Sequence, residues 1–433
     1  MLALRTAALF LAALPLAQAF AAGFEVPVAG SRDLAIAVPD PLGGPPEATA
    51  TIATVIRKDL DMTGYFQIVD PKAYIERGKG PAPGDFAYSD WRVVGAAGLV
   101  KTRLLDLGDP ACDATRAKRC LDVWVYDVSG ESKLASRRLR TEAGAIRDLA
   151  HAAASLALEA MVGELGFFGG RIAAVSSRGG NKELVLVSLD GAEVAPVTRN
   201  GAINLSPTWS PDGNQLAWTS FKRGNPDIYV KNLRSGAVRT LSARDGVNIS
   251  PAFSPDGKTL AIARSDGGDA DLFLLDATTG RELRRLTVGG GIDVSPSWSP
   301  DGTKLAFSSE RSGGSTIYVI DVNTGEASRL TRYDGFFTDP AWSPDGSRIA
   351  FVARKGNFDV FTVRSDGSDL RRITQDAGDN EDPSWSPDGR YLTFSSTRRG
   401  RSEIWVSTYD GRHQVPITST GGWSQPSWRP EAP

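Results

Sequence analysis

Short apolar runs separated by polar turns fill the C-terminal two thirds of the chain. The runs are only a few residues long and rich in Ile, Val, Leu, Phe and Tyr, as at residues 228–230, 305–307 and 317–319. The turns between them are rich in Gly, Pro, Ser and Asp. Runs of this length and composition predict β-strands, and their number indicates an all-β fold for this region.

One phrase of eight residues opens each group of strands. It is Ser-Pro-Thr-Trp-Ser-Pro-Asp-Gly at 206–213, and it returns in the copies that begin at residues 250, 295, 339 and 382, with a shortened copy from 425. The copies start 43–45 residues apart, a period typical of four-stranded propeller blades. We expect the first Pro where a strand begins, the aromatic residue between blades, and a type I turn at Ser-Pro-Asp-Gly.

The two ends of the repeat region complete each other. Residues 171–198 carry the second, third and fourth strands of a blade without the opening phrase, whereas residues 425–428 supply an opening phrase with no blade after it. The sequence therefore predicts that residues 166–433 form a six-bladed β-propeller closed by the C-terminal strand. A closed ring leaves no innermost sheet edge unpaired.

Residues 34–165 are predicted to form a smaller α+β domain in front of the propeller. The apolar pattern predicts helices at 48–60, around Trp91 and at 145–165, and it predicts strands at 34–38, 65–69, 99–105, 121–126 and 133–139. The last two strands are expected to form a hairpin. His151, on the last helix, is expected at the surface or in a capping role.

The first 33 residues differ from the rest. Residues 1–21 have a basic start, an apolar run too short to span a bilayer and two small-x-small cleavage sites, which predicts a secretory signal peptide; a buried N-terminal helix is the alternative. Residues 22–33 are predicted to be a flexible segment, either an edge strand or loose tail, or a tail that binds a partner. No other long apolar stretch is present, so we expect an exported, soluble protein that does not span a membrane.

Charge and cysteine content narrow the function classes. A formal charge of −2 argues against nucleic acid as a partner. Cys112 and Cys120 are the only cysteines, and in an oxidising compartment we expect them to form a disulfide rather than remain free thiols. Only two histidines are present, without ligand spacing, so a zinc site is not expected.

Signatures of catalysis are missing from the sequence. There is no Gly-x-Ser-x-Gly motif, and the Gly-Lys-Thr at 257–259 lies in a turn between strands and lacks the first Gly of a phosphate loop. The acidic residues at 266–271 lack the spacing of a calcium loop. We therefore predict no enzyme activity, no catalytic residue, no cofactor and no bound metal.

The loops that join successive blades surround one mouth of the channel, and they are the best candidate for a binding site. They combine Gly with Phe336, Phe337 and Trp423 and with several acids, and aromatic residues surrounded by polar groups suit protein recognition. Two alternatives stay open: the aromatic residues pack between blades, with Gly and Asp as ordinary turn residues, or the clustered acids hold a divalent cation.

The order of these segments resembles the TolB family, periplasmic proteins of the Tol–Pal system of Gram-negative envelopes. The resemblance lies in an exported α+β domain, the segment Ile-Arg-Asp-Leu-Ala-His at 146–151, the segment Gly-Glu-Leu-Gly-Phe-Phe-Gly-Gly-Arg-Ile-Ala at 163–173, and six blades of the Trp-Ser-Pro-Asp-Gly type. It covers essentially the whole chain. The blade phrase alone is weak, because prolyl oligopeptidase-type propellers share it, whereas the order of domains is more specific.

The resemblance implies partners and site residues. It implies binding of the lipoprotein Pal by the propeller mouth, here at Arg244, Asp245, Asn248, Asp293, Phe336, Phe337, Asn380, Glu381, Asp382 and Trp423. It implies binding of TolA by the N-terminal segment, here at Phe24, Glu25, Val26, Pro27 and Val28. Other outer-membrane proteins are further candidate partners. The implied roles are outer-membrane integrity and invagination during cell division.

Two features depart from the family pattern: the N-terminal segment is shorter than usual, and the loop between Cys112 and Cys120 is additional. If the segment packs between the domains, its release to TolA would change the affinity of the mouth for Pal, and such coupling is reciprocal. The competing hypotheses are a secreted propeller that acts as a lyase or assists a hydrolase, and a solute-binding propeller.

Overall fold

The structure is a computed structural model that describes residues 34–76, 80–82, 84–115, 117–166, 168–265, 267–332, 335–375 and 378–430. The predicted signal peptide, residues 1–21, and the predicted N-terminal segment, residues 22–33, lie outside the described residues.

The N-terminal part of the described chain is an α+β domain with one five-stranded sheet. Its elements are β1 (Leu34–Ala37), α1 (Pro46–Met62), β2 (Phe66–Ile68), a 3₁₀ turn (Pro71–Ala73), α2 (Tyr88–Val93), β3 (Gly98–Leu104), β4 (Lys118–Asp127), β5 (Ser132–Glu142) and α3 (Ile146–Val162). The strand order is β2-β1-β3-β4-β5, with β1 parallel to both of its neighbours. The predicted hairpin is present as β4 and β5. Helices α1 and α3 pack against each other.

Helix α3 ends three residues before the predicted end. Gly163 follows it with φ of +81°, and its N–H donates to the carbonyl oxygen of Glu159 at 2.9 Å. A left-handed glycine directly after a helix stops the helix, because it turns the chain and satisfies a free carbonyl.

Six four-stranded sheets follow within the described residues and form the predicted propeller. The innermost strands are β9 (Asn204–Trp209), β13 (Asn248–Phe253), β17 (Asp293–Trp298), β21 (Phe337–Trp342), β25 (Asn380–Trp385) and β29 (Trp423–Trp428). The second strands are β6 (Arg171–Ser176), β10 (Gln215–Ser220), β14 (Thr259–Arg264), β18 (Lys304–Ser309), β22 (Arg348–Lys355) and β26 (Tyr391–Ser396). The third strands are β7 (Glu183–Ser188), β11 (Asp227–Asn232), β15 (Asp271–Asp276), β19 (Thr316–Asp321), β23 (Asn357–Arg364) and β27 (Glu403–Thr408). The outer strands are β8 (Val194–Pro196), β12 (Val238–Ser242), β16 (Glu282–Arg285), β20 (Ala327–Arg329), β24 (Arg371–Arg372) and β28 (Gln414–Pro416).

The ring closes through a blade shared by both ends of the propeller, as predicted. Strand β29 pairs with β6, so blade 1 consists of β29, β6, β7 and β8. Blades 2 to 6 follow in chain order from β9. Each innermost strand contacts the innermost strands of both neighbouring blades, including β29 with β25 and β9.

The repeated phrase forms the predicted turn and the predicted aromatic contact between blades. Gly213 N donates to Ser210 O at 2.8 Å and closes the first Ser-Pro-Asp-Gly turn. The hydroxyl of Ser210 donates to Asp212, and this bond holds the pKa of Asp212 below its ordinary value. The aromatic residue bridges blades, because Trp209 Nε1 donates to Ser427 O of blade 1 at 3.0 Å.

The first Pro of the phrase does not begin a strand, contrary to our expectation. Pro207 lies inside β9, and the pairing of β9 with β10 shifts register there. Ser206, just before it, has φ of +52°, and the equivalent residue in every blade also has a positive φ. A bulge removes the need for a ladder hydrogen bond at that position, so Pro is tolerated within the strand.

The α+β domain packs on the face of the propeller that carries the Ser-Pro-Asp-Gly turns, which we call the turn face. Lys58 Nζ on α1 donates to the carbonyl oxygen of Asp190 in the turn between β7 and β8 at 3.2 Å. Arg390, which follows the Ser-Pro-Asp-Gly turn of blade 6, forms an ion pair with Glu164. Among the described residues, the domain therefore leaves the opposite face of the ring uncovered.

Candidate partner-binding face

The opposite face, which we call the mouth face, is built from two sets of loops. One set joins each blade to the next, and the other joins the second and third strands within a blade. Both sets meet at one end because the first residue of an innermost strand pairs with the last residue of the second strand, as Asn204 does with Ser220. The loops are held together by backbone bonds such as Phe221 N to Ile203 O at 2.9 Å.

The first residue of every innermost strand is buried, although five of the six were predicted to contact a partner. These residues lie two positions before each copy of the phrase, and each is at most 7% exposed. They are Asn204, which was not among the predicted site residues, and Asn248, Asp293, Phe337, Asn380 and Trp423, which were.

Two of these polar side chains form hydrogen bonds or ion pairs within the protein. Asn248 accepts from Ser242 Oγ at 2.7 Å and donates to the carbonyl oxygen of Arg244 at 2.8 Å, so it fixes the loop between blades 2 and 3. Asp293 forms an ion pair with Arg311 at 2.8 Å and accepts from Ser309 Oγ at 2.6 Å. Burial raises the pKa of Asp293, and its hydrogen bonds oppose that shift.

The other three predicted residues are likewise internal. Asn380 donates to Asp359 Oδ1 at 3.2 Å and accepts from Arg398 at 2.9 Å. Phe337 packs edge-on against Phe351, with ring centroids 5.8 Å apart. Trp423 is 2% exposed, and its Nε1 donates to Thr420 Oγ1 at 3.3 Å. The prediction that Phe337 and Trp423 contact a partner at the mouth is therefore wrong, because both rings are buried inside the propeller.

Other predicted residues do lie on the surface of the mouth face. Arg244 and Asp245 are exposed on the loop between blades 2 and 3. Phe336 is 44% exposed and meets Phe358 edge-on at 6.1 Å. Val288 and Ile292, on the preceding loop between blades 3 and 4, are also exposed, and they were not predicted as site residues. Isolated aliphatic residues in Gly-rich loops carry no sequence signal that would have found them.

Glu381 and Asp382 follow Asn380 on the innermost strand of blade 6, and Asp382 lines the central channel. A cavity of about 480 Å³ follows the channel and is lined by the Ser-Pro and Asp-Pro pairs and their equivalent from all six blades. Asp382 accepts from Gln425 N at 3.0 Å and from Ser395 Oγ at 2.9 Å. Burial, reinforced by the negative charge of Asp339 on the neighbouring blade, raises the pKa of Asp382 to about 7. Burial also raises the pKa of Glu381.

Two searches of the described ranges concern a metal-binding cluster and a membrane-spanning helix. There, no group of three or more His, Cys, Asp or Glu side chains is placed to hold a metal ion. In the same residues, no helix combines the length and the apolar character needed to cross a membrane.

The two cysteines of the chain are paired in the α+β domain. Cys112 and Cys120 are joined by a disulfide, with their Cα atoms 5.7 Å apart. The pairing agrees with the disulfide that the sequence predicts for an oxidising compartment.

His151 is buried, which contradicts the expected surface or capping role. Its Nδ1 lies 2.7 Å from Asp59 Oδ2 on α1, and its Nε2 lies 3.8 Å from Asp190 Oδ2 on the propeller. Asp190 also forms an ion pair with Arg147 on α3. Burial raises the pKa of Asp59 to about 6, although the hydrogen bond with His151 opposes the shift. These side chains form a polar connection between the two domains.

The architecture and the free mouth face define a two-domain propeller protein whose exposed ring surface suits binding. The sequence model described as the TolB beta propeller domain matches residues 158–432, and the one described as the TolB amino-terminal domain matches residues 24–114. The chain belongs to the TolB family.

Individual relatives agree with this assignment. The Tol-Pal system protein TolB of Geobacter sulfurreducens is 37% identical over 196 residues, which cover 44% of this chain and 43% of the relative. That of Syntrophotalea carbinolica is 38% identical over 206 residues, covering 46% of each. The chain thus spans less than half the length of the curated relatives it matches. The crystal structure of TolB from Acinetobacter baumannii superposes with a TM-score of 0.78 at 27% identity, covering 93% of this chain and 98% of that one.

Proposed function

We propose that this chain is a non-enzymatic periplasmic component of a Tol–Pal system. In this proposal the mouth face binds the lipoprotein Pal, and the N-terminal segment at residues 24–28 binds TolA. The protein thereby contributes to outer-membrane integrity and to invagination of the outer membrane during cell division. Other outer-membrane proteins are further candidates for the same face.

The observation that carries the proposal is the superposition with a TolB structure at nearly full coverage of each chain. A second observation supports the choice of face. The α+β domain occupies the turn face, whereas the mouth face presents Arg244, Asp245 and Phe336 to solvent. Exposed aromatic and arginine residues are enriched among the residues that dominate binding energies.

The test is binding of the purified mature protein to the periplasmic domain of Pal from the same bacterium, measured by calorimetry. We expect Phe336→Ala to weaken binding about tenfold or more, as is typical of a central aromatic contact. The matched control is Leu283→Ala, which removes a similarly exposed apolar side chain from the outer strand β16. Equal effects of the two substitutions would show that Phe336 is not part of the Pal-binding site. Absence of binding by the folded wild-type protein would refute Pal as the partner.

The TolA part of the proposal is tested separately by deleting residues 22–33. The deletion should abolish binding to the C-terminal domain of TolA while leaving the thermal unfolding of the described domains unchanged. It should also change the affinity for Pal if the two sites are coupled, since coupling free energies are reciprocal. An unchanged Pal affinity would contradict coupling without affecting either binding site.

A further inference from the structure

The loops between the second and third strands divide the mouth face into two unequal parts. In blades 5, 6, 1 and 2, which are consecutive around the ring, each of these loops, or the end of the second strand beside it, exposes two basic side chains. We call this set the basic arc: Arg354 and Lys355, Arg399 and Arg401, Arg178 and Lys182, and Lys222 and Arg223. In blades 3 and 4, the exposed charged residues described in the equivalent loops are the acids Asp269 and Glu310.

One cation in each blade of the basic arc lies over an aromatic ring. Lys222 Nζ is 3.9 Å from the ring centroid of Tyr229, and Arg399 is 4.9 Å from that of Trp405. The other two pairs, Arg178 with Trp423 and Arg354 with Phe358, each have a separation of 5.6 Å. Contact with a ring face attracts a cation and restricts its side chain, so these four charges are positioned before any partner arrives.

Blades 3 and 4 contain the same arrangement with the charge neutralised internally. Arg264 lies over Phe273 and pairs with Glu282 at 2.8 Å. Arg311 lies over Tyr318 and pairs with Asp293 at 2.8 Å.

The basic arc mostly lacks such internal partners. Arg178, Lys222 and Arg354 have no carboxylate within ion-pair distance among the described residues, whereas Arg399 has Glu403 at 3.8 Å and Arg223 has Asp227 at 4.0 Å. Arg178, Lys222 and Arg354 therefore differ from the arginines of blades 3 and 4 in lacking an intramolecular ion pair, and these three oriented cations are available.

We propose that the basic arc binds an acidic surface of a folded partner protein, with carboxylates taking the place that Glu282 and Asp293 occupy in blades 3 and 4. Attraction to lipid headgroups requires no fixed geometry of the cations, whereas pairing with the carboxylates of a rigid surface benefits from cations that are already oriented. The orientation of these cations therefore favours a folded protein over an anionic membrane as the partner. Phe336, Val288 and Ile292 lie between blades 3 and 5, across the ring from blade 1, and supply an apolar contact to the same partner. The identity of the partner rests on the proposed function, but its acidic character does not.

The test compares two triple variants with the same change in net charge. The arc variant is Arg178→Glu, Lys222→Glu and Arg354→Glu. The control variant, Arg234→Glu, Lys258→Glu and Arg281→Glu, reverses three exposed cations on the turn face. Circular dichroism and thermal unfolding establish that both are folded.

The first probe is immobilised poly-L-glutamate, which requires no knowledge of the partner. At about 50 mM salt, where screening is weak, we expect wild type and control variant to bind and the arc variant to bind about tenfold more weakly or worse. Equal losses in both variants, or no binding by wild type, would overturn the inference. Tighter arc-dependent binding to phosphatidylglycerol vesicles than to poly-L-glutamate would also overturn it and would indicate a membrane.

The second probe is the periplasmic domain of Pal. We expect the arc variant to associate about tenfold more slowly than wild type at low salt, because charge complementarity acts mainly on the association rate. Pal binding that is insensitive to the arc variant overturns the inference and leaves the proposed function intact. If poly-L-glutamate binds in an arc-dependent way but Pal does not bind at all, the inference of an acidic partner is supported and the proposed function is refuted.

Discussion

His151 Nδ1 lies 2.7 Å from the carboxylate of Asp59, and both side chains are buried where the α+β domain meets the propeller. The imidazole thus connects α3 to α1, while its other nitrogen faces Asp190 of blade 1. A buried polar connection of this kind is costly when one partner is removed, because the others lose their compensation. This polar connection adds to the apolar core that the two domains share, and both hold the domains in their relative position.

The first prediction concerns the pH dependence of stability. Burial raises the pKa of Asp59 from 3.8 to about 6. Between these two pH values the carboxyl group of Asp59 is therefore protonated in the folded state and ionised in the unfolded state. The contribution of Asp59 to the free energy of unfolding is therefore greatest below about pH 4. It decreases by roughly 2–3 kcal/mol as the pH rises to about 6.

Denaturant unfolding of wild type and Asp59→Asn at pH 4 and pH 7 measures this effect. We expect wild type to lose stability relative to the variant as the pH rises. Glu159→Gln, an exposed substitution on α3, should show no such trend. A wild type that gains stability over Asp59→Asn with rising pH would contradict the prediction.

The second prediction separates buried from exposed residues on one loop. Asn248→Ala should lower the free energy of unfolding by about 1–3 kcal/mol, because it leaves Ser242 and the carbonyl of Arg244 without their partner. Asp245→Ala, three residues earlier and exposed, should change it by no more than about 0.5 kcal/mol. Urea unfolding of both variants provides the measurement, and similar losses would show that burial does not distinguish them.

The third prediction concerns the two channel carboxyl groups of Asp339 and Asp382. Asp339→Asn removes a negative charge that raises the pKa of Asp382, so that pKa should fall below about 7 while remaining above its ordinary value, because burial is the larger cause. Carbon-13 NMR titration of the carboxyl groups reports the change directly. Asp366→Asn, in an exposed turn, serves as the control, and a rise in the Asp382 pKa after Asp339→Asn would refute the electrostatic coupling.

The fourth prediction concerns the disulfide between Cys112 and Cys120, which are eight residues apart. Closing a loop of this size stabilises the folded state by about 2–3 kcal/mol in the chain-entropy model. Cys112→Ser combined with Cys120→Ala should therefore lower the free energy of unfolding by that amount. Reduced wild type should behave like the double variant in the same assay, and identical stability with and without the bond would contradict the prediction.

Most of the fold could be predicted from the sequence because the repeat itself carries the information. The interval between copies indicates the blade size, and the incomplete ends indicate the shared blade that β29 and β6 form. The bulge at Pro207 was missed, because the sequence places Pro near the start of a strand but does not show how many residues precede it within the strand.

The candidate site was harder to predict because exposure depends on strand direction. Asn248, Asp293 and Asn380 have residue types common in loops, yet each begins an innermost strand and points inward. A signal was present, since three of the six repeats carry Asn at this position and a fourth carries Asp. An amide that recurs at one place in half of the blades indicates a structural need of the repeat, namely satisfaction of loop backbone groups. The cations of the basic arc carry no comparable signal, because Lys and Arg in a short polar loop are ordinary.

The shared blade also has a consequence for the order in which the protein can fold. A chain becomes available for folding from its N-terminus onward, and domains generally fold as they become available. The α+β domain can complete its sheet once residue 142 has emerged, but blade 1 lacks its innermost strand until residue 428 has emerged. Strand β6 therefore keeps an open edge until β29 pairs with it, and the ring closes only when the end of the propeller returns to its beginning.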